Sequence, residues 1–378
     1  MTAVRIGALR LTDSAPLAVA HEFGFFADEG LDVSLTIEPS WANIADKLTH
    51  GALDAATILP PLALAVTLGL RGPAEPLLIP YNVSLGGNSV TVRPDIAKIV
   101  RKAAPTNGVL AAFAAELRRV GADATLAVVH EYSTHSLLLR YWLASAGLEA
   151  ERDYRLIVVP PARSVEALAA GRIVGFCAGS PWGDVAVRAR VGATIATSHD
   201  IWRNGPEKAL AVRARWAEAK PESLSGLLRA LHRAARFCDA PENATYVASL
   251  LSRRAYLDVD SHAILSSLPG THGSQTRSRF LGQTATYPWR SHALWFLVQM
   301  KRWGMIEEGT PLRATAQTIY RPDLYEAALA PLGVAMPLNP WKIEGAHNEP
   351  WRLPATPAPV EMGPDTLCDG RAFDPDAA

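Results

Sequence analysis

The amino-acid sequence predicts an α/β fold made of two similar, hinged lobes with a ligand crevice between them. Three observations lead there. Short apolar strands alternate with amphipathic helices in a βαβαβ rhythm over the first third of the chain. The rhythm restarts after "SLGGNSVTV", and between about residues 192 and 213 it returns through "ATIATS" and "KALAV". Two alike sets joined by a Gly-Gly turn, with the chain crossing between them twice, describe lobes that can close on a ligand.

In the first set, residues 5–9 read as a strand, residues 15–26 carry apolar side chains at helical spacing, and residues 33–37 read as a second strand. Ser40 offers an N-cap to a helix beginning "WANIADKL". "AATILP" and "LLIPYNV" add two strands around the helix "PLALAVTLGL", so the sheet is expected to be mostly parallel, with helices on its faces. The second set is "TLAVVH", "RLIVVPP" and "VGFCAG" as strands, with "STHSLLLRYWLASAG", "SVEALAAG" and "PWGDVAVRARVG" as helices. Beyond "KALAV" only helices are expected, as far as the aromatic-rich "TYPWRSHALWFLVQMKRWG", which reads as core. The tail from Pro337 is rich in proline and polar residues and is expected to wrap the surface. The resulting division is 1–84 for lobe I, 85–192 for lobe II, 193–336 for a mostly helical return to lobe I, and 337–378 for the tail.

A chain of 378 residues is long enough for two or three domains and a sizeable core. Its 37 basic residues balance its 37 acidic ones without a long run of either sign, so it lacks the electrostatic footprint of a nucleic-acid or anionic-membrane binder. A small ligand or a protein partner fits better. The first residues do not form the basic and apolar regions of a secretory signal, and no segment reaches the roughly 20 apolar residues of a membrane span, so a cytoplasmic location is expected. Cys177, Cys238 and Cys368 show no metal-ligand spacing and read as reduced, partly buried thiols; no metal or cofactor is expected. GxGxxG, P-loop, HExxH and GxSxG motifs are all absent, which argues against an enzyme.

Four positions fall at the end of an expected strand or the start of an expected helix: Trp41, Asn88, His135 and Lys208. Each has a plain structural explanation: a core aromatic, a turn residue after Gly86 and Gly87, a surface histidine and a solvated strand residue. Together they suit an anion, because the crevice of an open α/β sheet lies beside helix N-termini, where backbone N–H groups and the helix dipole favour negative charge. Glu207 adjoins Lys208, but neighbouring strand residues point to opposite faces, so the two need not neutralise each other.

The segments "LTDSAPLAVAHEFGFFADEGLDVSL", "PSWANIADKL", "THSLLLRYWLASAGL", "IVVPP", "GFCAGSPW" and "IWRNGPEKALAVRARW" resemble, in this order, the nitrate- and bicarbonate-binding proteins of cyanobacterial ABC transporters, over roughly residues 5 to 320. The resemblance implies a periplasmic-binding-protein-like fold and an anion held by Trp41, Asn88, His135 and Lys208, with a backbone N–H near Asn43 as a further donor. Lysine at 208, where the bicarbonate binder carries an acidic residue and recruits a metal cation, implies nitrate or nitrite bound without metal. Two residues depart from the family pattern: Asn88 stands in place of a longer glutamine, and Ser180 in place of an acidic residue. Since no export segment is read at the start, the resemblance points to the cytosolic, NasS-like branch, whose members sense nitrate or nitrite and control an RNA-binding antiterminator of the ANTAR class (NasT-like). The alternative is the solute-binding component of a nitrate ABC transporter. On either reading Lys208→Glu is expected to abolish anion binding and spare the fold.

Overall fold

The computed structural model describes residues 1–270 and 278–378. The first set of elements is β1 (Thr2–Ala8), α1 (Ala15–Glu22), α2 (Phe25–Asp28), β2 (Leu31–Ile37), α3 (Trp41–Thr49), β3 (Ala55–Ile58), α4 (Pro60–Thr67) and β4 (Leu77–Leu85). The single helix expected over 15–26 divides at Gly24, whose φ of 70° lies in the left-handed region. The second set is β5 (Asn88–Val92), α5 (Pro94–Asn107), α6 (Val109–Val120), β6 (Thr125–Val128), α7 (Thr134–Ser145), β7 (Arg155–Val158), α8 (Pro161–Ala169), β8 (Gly175–Gly179), α9 (Trp182–Arg188), β9 (Ala193–Thr197) and α10 (Ser198–Ile201). The chain then returns through β10 (Pro206–Arg213) to α11 (Ala214–Ala219), α12 (Pro221–Asp239), α13 (Ala244–Leu251), α14 (Ser261–Leu265), α15 (Arg290–Arg302), α16 (Leu312–Ile319) and α17 (Pro322–Leu329). Residues 271–277 of the expected helical return lie outside the described residues.

The strands form two five-stranded sheets of the same plan, β2-β1-β3-β10-β4 and β7-β6-β8-β5-β9. β1 pairs parallel with β2 and β3, and β6 with β7 and β8. β10 runs antiparallel to β3 and β4, and β5 antiparallel to β8 and β9. The one antiparallel strand of each sheet is therefore the strand by which the chain enters that lobe from the other. This corrects two expectations. "SLGGNSVTV" is more than a hinge: Gly86 and Gly87, at φ of 64° and 91°, turn the chain directly into β5. "ATIATS" does not begin the return, since β9 pairs with β5 and lobe II extends past residue 192.

One face of the first sheet packs against α1, α12, α13 and α17. The other face meets α3, α4, α15 and α16, and this second core continues without a break into lobe II. The joint is aromatic: the Trp295 ring lies 4.6 Å from that of Trp202 and 5.5 Å from that of Tyr141, centre to centre. Trp289, Trp295 and Phe296 of the aromatic-rich segment are buried.

The tail forms two small antiparallel pairs, β11 (Met336–Pro337) with β13 (Ala355–Thr356) and β12 (Trp351–Leu353) with β14 (Val360–Met362). It is fastened by Glu344, which is fully buried, accepts a hydrogen bond from Ser291 Oγ at 2.6 Å and pairs with Lys342. Among the described residues no helix is long and apolar enough to cross a membrane. Cys177 and Cys238 are buried, Cys368 is half-buried, and all three are free thiols.

Candidate functional site

Helix starts supply the first two site residues. Ser40 caps α3, its Oγ accepting the Asn43 N–H at 3.3 Å, and this fixes Trp41 as the first helical residue, with 1% of its surface exposed. Ser133 caps α7 in the same way, accepting from the Ser136 N–H at 2.9 Å while donating to the His130 carbonyl at 2.6 Å, and His135 sits fully buried in the first turn. The Trp41 Nε1 and both ring nitrogens of His135 are buried without a hydrogen-bond partner among the described residues.

Strands supply the rest. Asn88 opens β5 with no exposed surface; its Nδ2 donates to Glu207 and its Oδ1 has no partner among the described residues. Lys208, on β10, is also fully buried, and its Nζ lies 3.0 Å from Asp13, against Glu207, and 5.5 Å from the centre of the Trp41 ring. His135 Nε2 is 3.5 Å from Glu207 Oε1. Gly179, the last residue of β8, leaves room beside them: a Cβ there would stand 3.5 Å from Asn88 Oδ1 and 3.7 Å from His135 Nε2.

The structure thus gathers Trp41, Asn88, His135 and Lys208 at one buried place between the lobes. Asn43 is not gathered with them. It is exposed, and its N–H is spent on Ser40 Oγ because the third residue of a capped helix points its amide at the cap. Asp13, Glu207 and Gly179 were not anticipated. Glu207 was set aside by strand alternation, which fails here because the pairing of β10 with β4 shifts register on both sides of Lys208, so that consecutive side chains turn to the same cluster. Asp13 stands just past the carboxyl end of β1 and before α1, a place the crevice rule could have flagged.

Lobe I contributes Asp13, Trp41, Glu207 and Lys208, and lobe II contributes Asn88, His135 and Gly179. Hydrogen bonds hold the lobes together around them: Thr12 N–H to the Ser180 carbonyl at 2.8 Å, Trp182 Nε1 to the Arg10 carbonyl at 3.0 Å, and Thr134 Oγ1 to the Glu207 carbonyl at 3.3 Å. Ser180 itself binds the hinge, donating from Oγ to the Gly87 carbonyl at 2.9 Å. A cavity of about 500 Å³ opens at the crevice mouth between Leu9, Arg10 and residues 37–40 on one side and residues 160–163 on the other.

Burial governs the charges. It raises the carboxyls of Asp13 and Glu207 above their ordinary range, with Lys208 opposing. It opposes the charge of Lys208 as well, but the two carboxylates outweigh it and the ammonium is raised. Burial, with Lys208 adding to it, holds His135 well below the ordinary imidazole range, so the ring is neutral near pH 7 and carries one donor and one acceptor. An ammonium, an indole N–H, an imidazole N–H and an amide gathered in one buried cluster are donors suited to a small anion.

The model of the NMT1-like family matches residues 1–252. The nitrate/nitrite binding protein NrtA of Synechocystis sp. is 30% identical over 395 residues, covering 100% of this chain and 83% of that protein. The NrtA of Synechococcus elongatus is likewise 30% identical, covering 99% of this chain and 84% of its own. The nitrate import ATP-binding protein NrtC of Synechocystis sp. is 34% identical over 360 residues, covering 91% of this chain, which spans about half (51%) of that protein's length. Among solved structures, the crystal structure of the periplasmic nitrate-binding protein NrtA from Synechocystis matches with a TM-score of 0.86 at 29% identity, covering 100% of this chain and 96% of that one. The alkanesulfonate-binding protein SsuA from Xanthomonas axonopodis, with a TM-score of 0.62 over 84% of this chain and 98% of its own, is 15% identical and shares the fold alone. With its two-lobed periplasmic-binding-protein fold, the chain belongs to the NMT1-like family and, within it, to the nitrate- and bicarbonate-binding proteins of ABC-transporter type.

Proposed function

We propose that this protein binds nitrate or nitrite between its two lobes, as a binder and not as an enzyme. The observation that carries the reading is the convergence of Trp41, Asn88, His135 and Lys208, drawn from both lobes, with the Trp41 Nε1 and the His135 ring nitrogens buried and unpartnered among the described residues. Nitrate is small, planar and weakly basic, so its recognition needs several donors at once. Lys208 supplies positive charge: an ammonium about 4 Å from an anion, at an effective dielectric near 20, contributes roughly 4 kcal/mol before desolvation and the opposing charge of Asp13 and Glu207 are subtracted. Micromolar affinity requires about 8 kcal/mol, which leaves the remainder to the neutral donors acting together. Because the donors come from two lobes, the anion favours the closed form, and that difference in affinity is what shifts the lobes.

Isothermal titration with nitrate, nitrite and bicarbonate tests this reading. We expect saturable binding of nitrate or nitrite, weakened roughly tenfold or more in Trp41→Phe, which keeps a ring in place and removes the indole donor. Binding of unchanged strength in that variant, or no binding of either anion by the wild type, would refute it.

Two readings of the partner follow. As the solute-binding component of a nitrate ABC transporter, the closed form would dock on a permease; the full-length similarity to nitrate/nitrite binding proteins supports this one. As a cytoplasmic sensor, it would release or capture an ANTAR-type antiterminator on closure. That reading rests on the resemblance of the sequence alone. Co-purification with an antiterminator that is lost at saturating nitrate would establish the sensor, and a complex indifferent to the anion would eliminate it.

A further inference from the structure

We propose that the site takes up its anion together with one proton, carried by the Asp13 and Glu207 carboxyls that flank Lys208. The inference rests on the reading of this place as a nitrate or nitrite site, and it names what that site must do about its own charge.

The count of charges poses the problem. One ammonium, Lys208 Nζ, faces two carboxyl groups, Asp13 at 3.0 Å and Glu207 in contact, and neither Glu207 nor Lys208 has more than 1% of its side chain exposed. With both carboxyls ionised the cluster is already negative by one, and a bound anion would make it negative by two in a space shielded from water. Like charges so enclosed raise one another's proton affinity. The other titratable groups that face the cluster do not help. His135, on α7, is held neutral by burial and by Lys208, and the Cys177 thiol, on β8, is pushed up by burial and by Glu207, so neither supplies positive charge.

Hydrogen-bond chemistry leads to the same point. Nitrate and nitrite have only acceptors to offer, so each polar group that faces them must donate. An ionised carboxylate cannot. The Glu207 carboxylate is engaged by Asn88 Nδ2 at one oxygen and by Lys208 at the other, and its Oε1 lies 3.5 Å from His135 Nε2, within the same ring of groups. A proton from solvent on either member of the pair turns a repelling acceptor into an O–H donor and offsets the negative charge that the anion adds. The two carboxyls share Lys208, so the proton belongs to the pair.

Titration calorimetry with sodium nitrate, from about pH 6 to about pH 9 and in two buffers of different ionisation heat, tests the proposal. Above the pH at which the free pair loses its proton, affinity is expected to fall by up to about tenfold per pH unit, and the buffer dependence of the heat to report uptake approaching one proton. Glu207→Gln, which fixes the neutral form, is expected to bind nitrate with a flattened pH profile and no buffer dependence. Asp13→Asn serves as a second variant with the same expectation, so that a folding defect in one, seen by thermal melting, leaves the other to decide. Nitrate affinity constant across the range, with equal heats in both buffers, overturns the proton and leaves the anion site standing; so does a wild-type slope in the neutral variants. No nitrate binding at any pH overturns the anion reading and the proposal with it.

Discussion

Lys208 shows what a single buried residue does in this molecule. Its ammonium is the counter-charge of two carboxyls before any anion arrives, so the expectation that Lys208→Glu would spare the fold does not survive: a third carboxyl would join two that have lost their partner. Removing one member of a buried charged set typically costs about 3–5 kcal/mol, and we expect Lys208→Met to lose that much unfolding free energy in urea, with partial recovery when Glu207→Gln is added. Wild-type stability in the single variant would mean that the carboxyls do not depend on the ammonium. Histidines give the second residue-scale prediction. Burial, with Arg71 for His130 and Arg236 for His232, lowers both rings to about 4, and burial with Lys208 holds His135 well below the ordinary imidazole range. A folded-state value below the unfolded one near 6.5 means that stability is fully present above pH 6.5 and is lost as pH falls toward the folded value. By about pH 4 the loss is on the order of 3 kcal/mol for each of His130 and His232. Acid denaturation should therefore begin below about pH 6, and His232→Gln should lessen the slope; an unchanged slope would place that proton elsewhere.

Elements aim these residues, and each aiming device can be broken without touching the anion. Ser133→Ala removes a buried cap and leaves the Ser136 N–H and His130 carbonyl unpaired, a loss of about 1–2 kcal/mol in stability. Because His135 lies two residues beyond that cap, nitrate affinity should fall as well. Stability lost without any change in affinity would show that α7 starts correctly without its cap. Gly179→Ala tests the opposite case: its Cβ would meet the end of the Leu11 side chain at 3.3 Å, which must give by a few tenths of an ångström, and Asn88 and His135 at ordinary contact distances, so the space beside the donors is filled at a small cost in packing. Calorimetry should show weakened nitrate binding at a nearly unchanged melting temperature. These elements also mark how far the sequence could be read. Ser40 and Ser133 announced their helices through local capping chemistry, and the two rounds of strand and helix announced the lobes. Asn88 was read as a turn residue because Gly86 and Gly87 hide the strand that follows, although "NSVTV" alternates as a half-buried strand should. Glu207 was discarded because a register shift is decided by the partner strand, which local periodicity cannot see.

At the scale of the molecule the two sheets share one plan, and the strands exchanged between them carry the site: Asn88 opens β5 and Glu207 and Lys208 sit on β10. Any rotation of one lobe against the other therefore moves binding residues directly. The lobes are also joined by the Trp202, Trp295 and Tyr141 rings and by the tail, where the Cys368 N–H binds the Ile201 carbonyl at 2.8 Å and Asp376 pairs with Arg313 at 2.9 Å. The bonds that cross between the lobes bear on how readily a closed form is reached. Trp182→Phe removes one of them, the hydrogen bond from Nε1 to the Arg10 carbonyl, and touches no anion-facing group. Apparent affinity scales with the fraction of protein in the competent form. A hydrogen bond worth about 1 kcal/mol, lost only from the closed form, should weaken nitrate binding about fivefold when the open form dominates without ligand, and hardly at all when the closed form does. Small-angle scattering separates the cases: in the first, the wild type should contract on adding nitrate and the variant should need more nitrate to contract as far. A wild type of constant radius whose affinity nevertheless drops in Trp182→Phe would show that the lobes are rigid and that Trp182 acts by positioning, not by closure.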